Sequence, residues 1–295
     1  MTEINTFQQN IKRSVGIRLL ILFGSFVFLI VLSSIIGSAI RSSGLNQRAS
    51  LLLSSGIQCV LAFCLPAWLL GRYISDHPFR WLDMSRLPSL RAIVGVIIVY
   101  VISLPAMNVI IEWNANMHFP SSMAAIEEVF RGWEESNEAI SRQLLTLNSI
   151  WDFLASLLIV GVMAGISEEM FFRGAFQKII SESYLGIIAA IWIGAFVFST
   201  FHFQFFGFIP RLLMGAFFGY LLYWTRNLWV AIFAHVLNNS IVVVWSAISS
   251  DNMANYENIG LEEGFPILGF TSMILTIGFI LLFKTYFFRW QRKQQ

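Results

Sequence analysis

The chain has 295 residues, of which 57% are hydrophobic and only 12% charged, with a formal net charge of +2. Soluble globular chains carry about a quarter charged residues, so this composition excludes an ordinary water-soluble domain. It points to an all-α, polytopic transmembrane helix bundle that has membrane lipid as a partner and no nucleic acid, since no basic nucleic-acid patch is present.

A charge-poor window of about 18 residues predicts a transmembrane helix. In chain order such windows predict about eight helices, at 17–40, 50–71, 92–112, 150–167, 185–203, 208–225, 228–248 and 265–287. Those at 150–167 and 208–225 are short and interrupted by polar residues. The first follows Lys12, Arg13 and Arg18, and Gly37-Ser38-Ala39 is loosely like a cleavage site. Its apolar stretch is nearer twenty residues than the roughly 7–15 of a signal peptide, so an uncleaved first helix is expected. The second span holds both cysteines, Cys59 and Cys64, which read as buried free thiols without a ligand cluster.

Two polar pieces interrupt the spans. Residues 72–91 mix Trp81, Leu82 and Met84 with four arginines and predict a segment at the lipid interface. In 114–149, Met123, Ile126, Val129, Phe130 and Trp133 recur at helical spacing and predict an outer amphipathic helix that caps the bundle. With both termini inside (N-in/C-in), 14 of the 19 basic residues fall on the inner side, as the positive-inside rule requires. Tyr73, Trp81, Trp113, Trp151, Tyr223, Trp224 and Trp290 near span ends fit interfacial anchoring. The chain then divides into an N-terminal membrane region (1–149), a core (150–248), and an outer loop, final helix and basic tail (249–295).

The core carries the chemistry. Ser167-Glu168-Glu169-Met170-Phe171-Phe172-Arg173 sets two carboxylates and an arginine in an apolar region, where ionisable groups are costly and generally functional. On a helix Glu169 and Arg173 are i and i+4 and can pair, while Glu168 is rotated by about 100° and left free to face a cavity. Phe198 and His202 share a helix face, as do His235 and Asn239. Carboxylate, two imidazoles and a carboxamide can converge in a bundle core. Glu168 with His202 could then activate water, and His235 with Asn239 could hold an oxyanion. Glu127-Glu128-Val129-Phe130-Arg131 is a near copy of the first motif, but its arginine is one residue too close and it lies in the polar outer loop.

Glu168-Glu169-x-x-x-Arg173, Phe198-x-x-x-His202 and His235-x-x-x-Asn239 resemble the three ordered motifs of the CPBP family, intramembrane proteases named for CAAX prenyl endopeptidases and bacteriocin-processing enzymes (also called Abi). The resemblance covers residues 150–245. It implies an eight-helix-type bundle with a catalytic cavity open toward the cytoplasmic leaflet, Glu168 as general base with His202, and His235 with Asn239 as the oxyanion site. It implies an intramembrane endopeptidase that cuts a peptide or prenylated protein near the cytoplasmic face. The shortness of the chain suggests a bacterial inner membrane. No cofactor is favoured, because Asn239 has a ready role as oxyanion donor and is a poor zinc ligand. Zinc is the alternative, with Glu168, His202 and His235 as ligands and a fourth position open. Two other classes compete: a proton-coupled transporter with a path through those three residues, and a non-catalytic scaffold or immunity protein.

Overall fold

The computed structural model describes residues 14–248 and 267–292, with side chains to 287, and every regular element among them is helical. Lys12, Arg13, Lys293 and the outer segment 249–266 lie outside the described residues, as do the side chains of Arg289, Trp290 and Arg292. The helices are α1 (Val15–Arg41), α2 (Gln47–Ile74), α3 (Leu90–Ala115), α4 (Ala124–Leu144), α5 (Ile150–Ser181), α6 (Gly186–Thr200), α7 (Phe205–Thr225), α8 (Leu228–Ile248) and α9 (Ile267–Arg292).

All eight expected spans have a counterpart, with two corrections. Seven helices are long and apolar enough to cross a membrane, but α6 has only 15 residues. At 1.5 Å per residue it rises about 22 Å, short of the roughly 30 Å hydrocarbon core. The span expected at 150–167 continues to Ser181, so the Glu-Glu motif sits inside a 32-residue helix rather than at its end. Arg173 is therefore buried and does not belong among the inner-face charges counted above.

Local chemistry starts several helices where the sequence allows it. Asn46, Ser89 and Ser149 accept hydrogen bonds from the backbone N–H groups of Ala49, Ala92 and Asp152, as N-cap residues do. Pro105 interrupts α3, and Ser272 of α9 fills the gap, accepting from the Ala106 N–H and donating to the Ile102 carbonyl. Small residues let backbones approach where packing must be closest. A Cβ on Gly165 would stand 2.7 Å from the Val236 side chain and 3.0 Å from its backbone nitrogen, so glycine is what brings α5 against α8. Where α5 meets α7, Arg173 and Gln177 donate to the carbonyls of Gly215 and Gly219, two rungs that set the register.

The two ends of the bundle differ. At the end where α1 begins, Lys178 pairs with Asp83, Asn227 donates to the Arg86 carbonyl and Trp229 to that of Met84, while Arg18 pairs with Glu182. The 75–89 segment is thus folded onto this end: Leu82 is fully buried, and Phe79 and Leu87 face outward as an interfacial segment would. At the opposite end Arg48 pairs with Asp152, and α4 lies over the turn between α6 and α7. Asn137 donates to the His202 carbonyl, the Glu134 carboxylate accepts from Gln204 and Phe206, and Phe130 stacks on Phe205. The amphipathic helix expected in 114–149 is present and covers this end. The near-copy motif within it is local: Glu127 accepts from the Phe119 backbone and Arg131.

Candidate active site

Ala164–Glu169 is one short α-helical segment between two π-helical stretches, Leu157–Met163 and Met170–Gln177. Such bulges re-aim side chains and recur at functional sites. Glu169 and Arg173 point into the bundle and pair at 2.6 Å, with only 0% and 1% of their side-chain surfaces exposed. Arg173 also donates to the Gly215 carbonyl at 3.0 Å and lies 4.3 Å from the Phe198 ring centroid. Each contact offsets the cost of burying a guanidinium.

The same Glu169 oxygen holds His235. Its Nδ1 stands 2.8 Å from Glu169 Oε1, and its ring stacks on Phe218 at 5.0 Å with Phe198 edge-on at 5.8 Å. That contact assigns a proton to Nδ1 and turns Nε2 toward the other carboxylate, with Glu168 Oε2 at 3.8 Å. Glu169 is therefore more than the structural partner of Arg173 expected from helix spacing, because it also orients an imidazole. Glu168 is 19% exposed, and its Oε2 is buried without a hydrogen-bond partner.

His202 closes the site from the turn that follows α6. Its Nδ1 donates to the Phe198 carbonyl at 2.8 Å, which leaves Nε2 available, and its ring meets Phe198 edge-on at 4.8 Å. Glu168, His235 and Arg211 all lie within its electrostatic reach. The chain then turns sharply at Phe203, whose φ of 51° is left-handed. Asn239 stands one turn beyond His235 on α8; its amide donates to the Val160 carbonyl at 3.2 Å, and its oxygen accepts from Asn238. One of its two amide hydrogens is thus held by α5, and the second remains for a ligand.

Several contributors had no marker among the motifs. Phe218 and Gly215 of α7 hold His235 and Arg173, and Gln177 of α5 donates to the Gly219 carbonyl one turn further along α7. Cys59 stands beside Ser167, so one of the two free thiols borders the site. The zinc alternative fits the arrangement poorly. Among the described residues no three His, Cys, Asp or Glu side chains are grouped closely enough to hold a metal ion, and His235 Nδ1 is engaged by Glu169.

Residues 150–241 match a family model described as type II CAAX prenyl endopeptidase Rce1-like. The matched domain resembles the CPBP/CAAX protease family. The match spans α5 to α8, the segment that carries Glu168, Glu169, Arg173, His202, His235 and Asn239, and leaves α1 to α4 and α9 outside it. No curated protein and no solved structure matches the chain. The domain implies an intramembrane protease in an integral, multi-pass membrane protein, with a peptide or prenylated protein as substrate.

Proposed function

We propose that the protein is a metal-independent, glutamate-type intramembrane endopeptidase that hydrolyses a peptide bond between Glu168 and His235, of the CAAX prenyl-peptide kind. The observation that carries this reading is the chain Arg173–Glu169–His235 facing Glu168, because it supplies a base and an electrophile side by side. Glu168, partly enclosed, takes a proton from water while His202 Nε2 accepts a hydrogen bond from the O–H that stays on the resulting hydroxide. The hydroxide attacks the carbonyl carbon. The Glu169 carboxylate at Nδ1 stabilises a doubly protonated His235, whose Nε2–H then donates to the oxyanion with the free Asn239 amide hydrogen. As the tetrahedral intermediate collapses, Glu168 returns its proton to the departing amine. No step uses a metal.

The test is cleavage of fluorogenic peptides, one of them farnesylated with a CAAX end, by the purified protein with Glu168→Ala as control and chelator in parallel. Cleavage that vanishes in Glu168→Ala and survives chelation is expected. Loss under chelation with recovery on adding zinc would overturn the metal-independent mechanism, and the absence of any Glu168-dependent cleavage would overturn the protease reading.

A further inference from the structure

With N-in termini, Arg211 falls among the basic residues of the outer side. In the structure it is partly buried within α7, and its side chain folds back over Gly207. A Cβ at Gly207 would stand 2.7 Å from Arg211 Nη2 and about as near the rest of the guanidinium, so glycine is what makes room. Nη1 donates to the Gln204 carbonyl at 3.2 Å and Nη2 to the Gln204 side-chain oxygen at 2.6 Å. Among the described residues no carboxylate comes within 4.0 Å of it, whereas the buried Arg18 and Arg173 each have one. The nearest acid acting on it is Glu134, whose two oxygens are already engaged by Gln204 and Phe206. A guanidinium has five N–H donors, and Gln204 occupies two. Arg211 is thus a partly buried cation with donors to spare, and an anion beside it would offset the cost of its partial desolvation.

Its position places the anion beside the His202 turn. Gln204 follows His202 by two residues, which separates their Cα atoms by at most about 7.6 Å, and Arg211 acts electrostatically on His202. A CAAX sequence is C-terminal and ends in a free carboxylate. Cutting it after the cysteine leaves three residues beyond the scissile bond, about 10 Å when extended. Resting on the protease reading above, we propose that Arg211 is a specificity residue that binds the substrate's C-terminal carboxylate, so that the site takes peptides with a free acid end. Guanidinium suits this role, since it pairs a carboxylate through two parallel hydrogen bonds. Hydrolysis then consumes one water, leaves a new carboxylate on the shortened protein, and releases a tripeptide whose original carboxylate is still at Arg211.

The experiment compares an internally quenched, farnesylated CAAX peptide carrying a free acid end with its C-terminally amidated twin, using the full-length protein. The wild type should favour the acid at least tenfold in kcat/KM, mainly through KM. Arg211→Gln should bring the ratio close to one, and Arg211→Lys should restore part of it. A residue that merely pins the 204 turn would lower stability without changing this ratio. Binding supplies a readout free of chemistry: the tripeptide acid should bind the Glu168→Ala protein at least tenfold more tightly than the tripeptide amide, and adding Arg211→Gln should remove the difference. Equal cleavage of both peptides by the wild type, or a ratio that survives in Arg211→Gln, overturns the proposal and leaves the protease reading standing. No cleavage of either peptide overturns both.

Discussion

Glu169→Gln isolates the charge in the buried pair. The amide oxygen of Gln can still accept from His235 and Arg173, so shape and hydrogen bonding are nearly kept while the negative charge is lost. Arg173 is then a guanidinium with 1% exposure and no anion beside it, held by neutral partners: the amide oxygen, the Gly215 carbonyl and the faces of Phe172, Phe198 and Phe218. Breaking a buried pair in this way costs about 3–5 kcal/mol, since an uncompensated charge remains. At roughly 2–4 °C per kcal/mol for chains of comparable size, the melting temperature should fall on the order of 10 °C. Thermal unfolding of the purified protein in detergent measures it. The control is Glu169→Gln with Arg173→Met, which removes the stranded charge and should recover most of the loss, because an apolar replacement of a buried pair is often neutral. The Gly215 carbonyl left without its donor accounts for a remainder of about 1 kcal/mol. A single variant that melts within about 2 °C of wild type, or a double variant less stable than the single, would refute the argument.

Glu168→Ala and His202→Ala should abolish hydrolysis while melting within a few degrees of wild type, because neither side chain is locked in the buried pair; a drop as large as that of Glu169→Gln would count against this division of roles. Gly165→Val should sharply reduce the folded yield, since the added carbons collide with Val236, whereas Gly278→Ala, with nothing within 4 Å, should be neutral by size-exclusion chromatography. A lone cysteine at Gly132 in α4 should react with an impermeant maleimide on intact cells, and one at Phe79 only after permeabilisation, because the basic residues crowd the Phe79 end; the reverse pattern would turn the bundle over. Glu127 is pulled down to about 2, first by the Phe119 N–H and then by Arg131. Its contribution is therefore complete above the ordinary carboxylate pKa and lost only as pH falls through about 2. Lowering the pH from 7 to 5 should leave the protease sensitivity of α4 unchanged, and release of α4 in that window would contradict the assignment.

What the sequence revealed depended on how local each feature was. The Glu169–Arg173 pair was legible because helical periodicity joins residues four apart, and the observed pair follows it. The Glu169–His235 contact was not, since it joins residues 66 apart on separate helices and no single-segment pattern encodes it. The early end of α6 was hidden for a different reason. Phe201, Phe203, Phe205 and Phe206 make the turn as apolar as a helix, so hydropathy carried the expected span to residue 203, while the left-handed Phe203 marks the end only in three dimensions. Sidedness suffered likewise. N-in termini from the charge bias and a site open to the cytoplasm from the family resemblance read as compatible in one dimension. The fold sets the basic residues at one end and the His202 turn toward the other, so the two expectations assign the cytoplasm to opposite ends, and the cysteine labelling above decides between them.

The shortness of α6 also governs where the reaction gets its water. A rise of about 22 Å brings the 201–207 turn to within several ångströms of one edge of a roughly 30 Å hydrocarbon core, and α7 starts from that same depth. In the proposed mechanism, the water that Glu168 activates and the carboxylic acid formed there would therefore exchange with the solution on the α4 side of the bilayer.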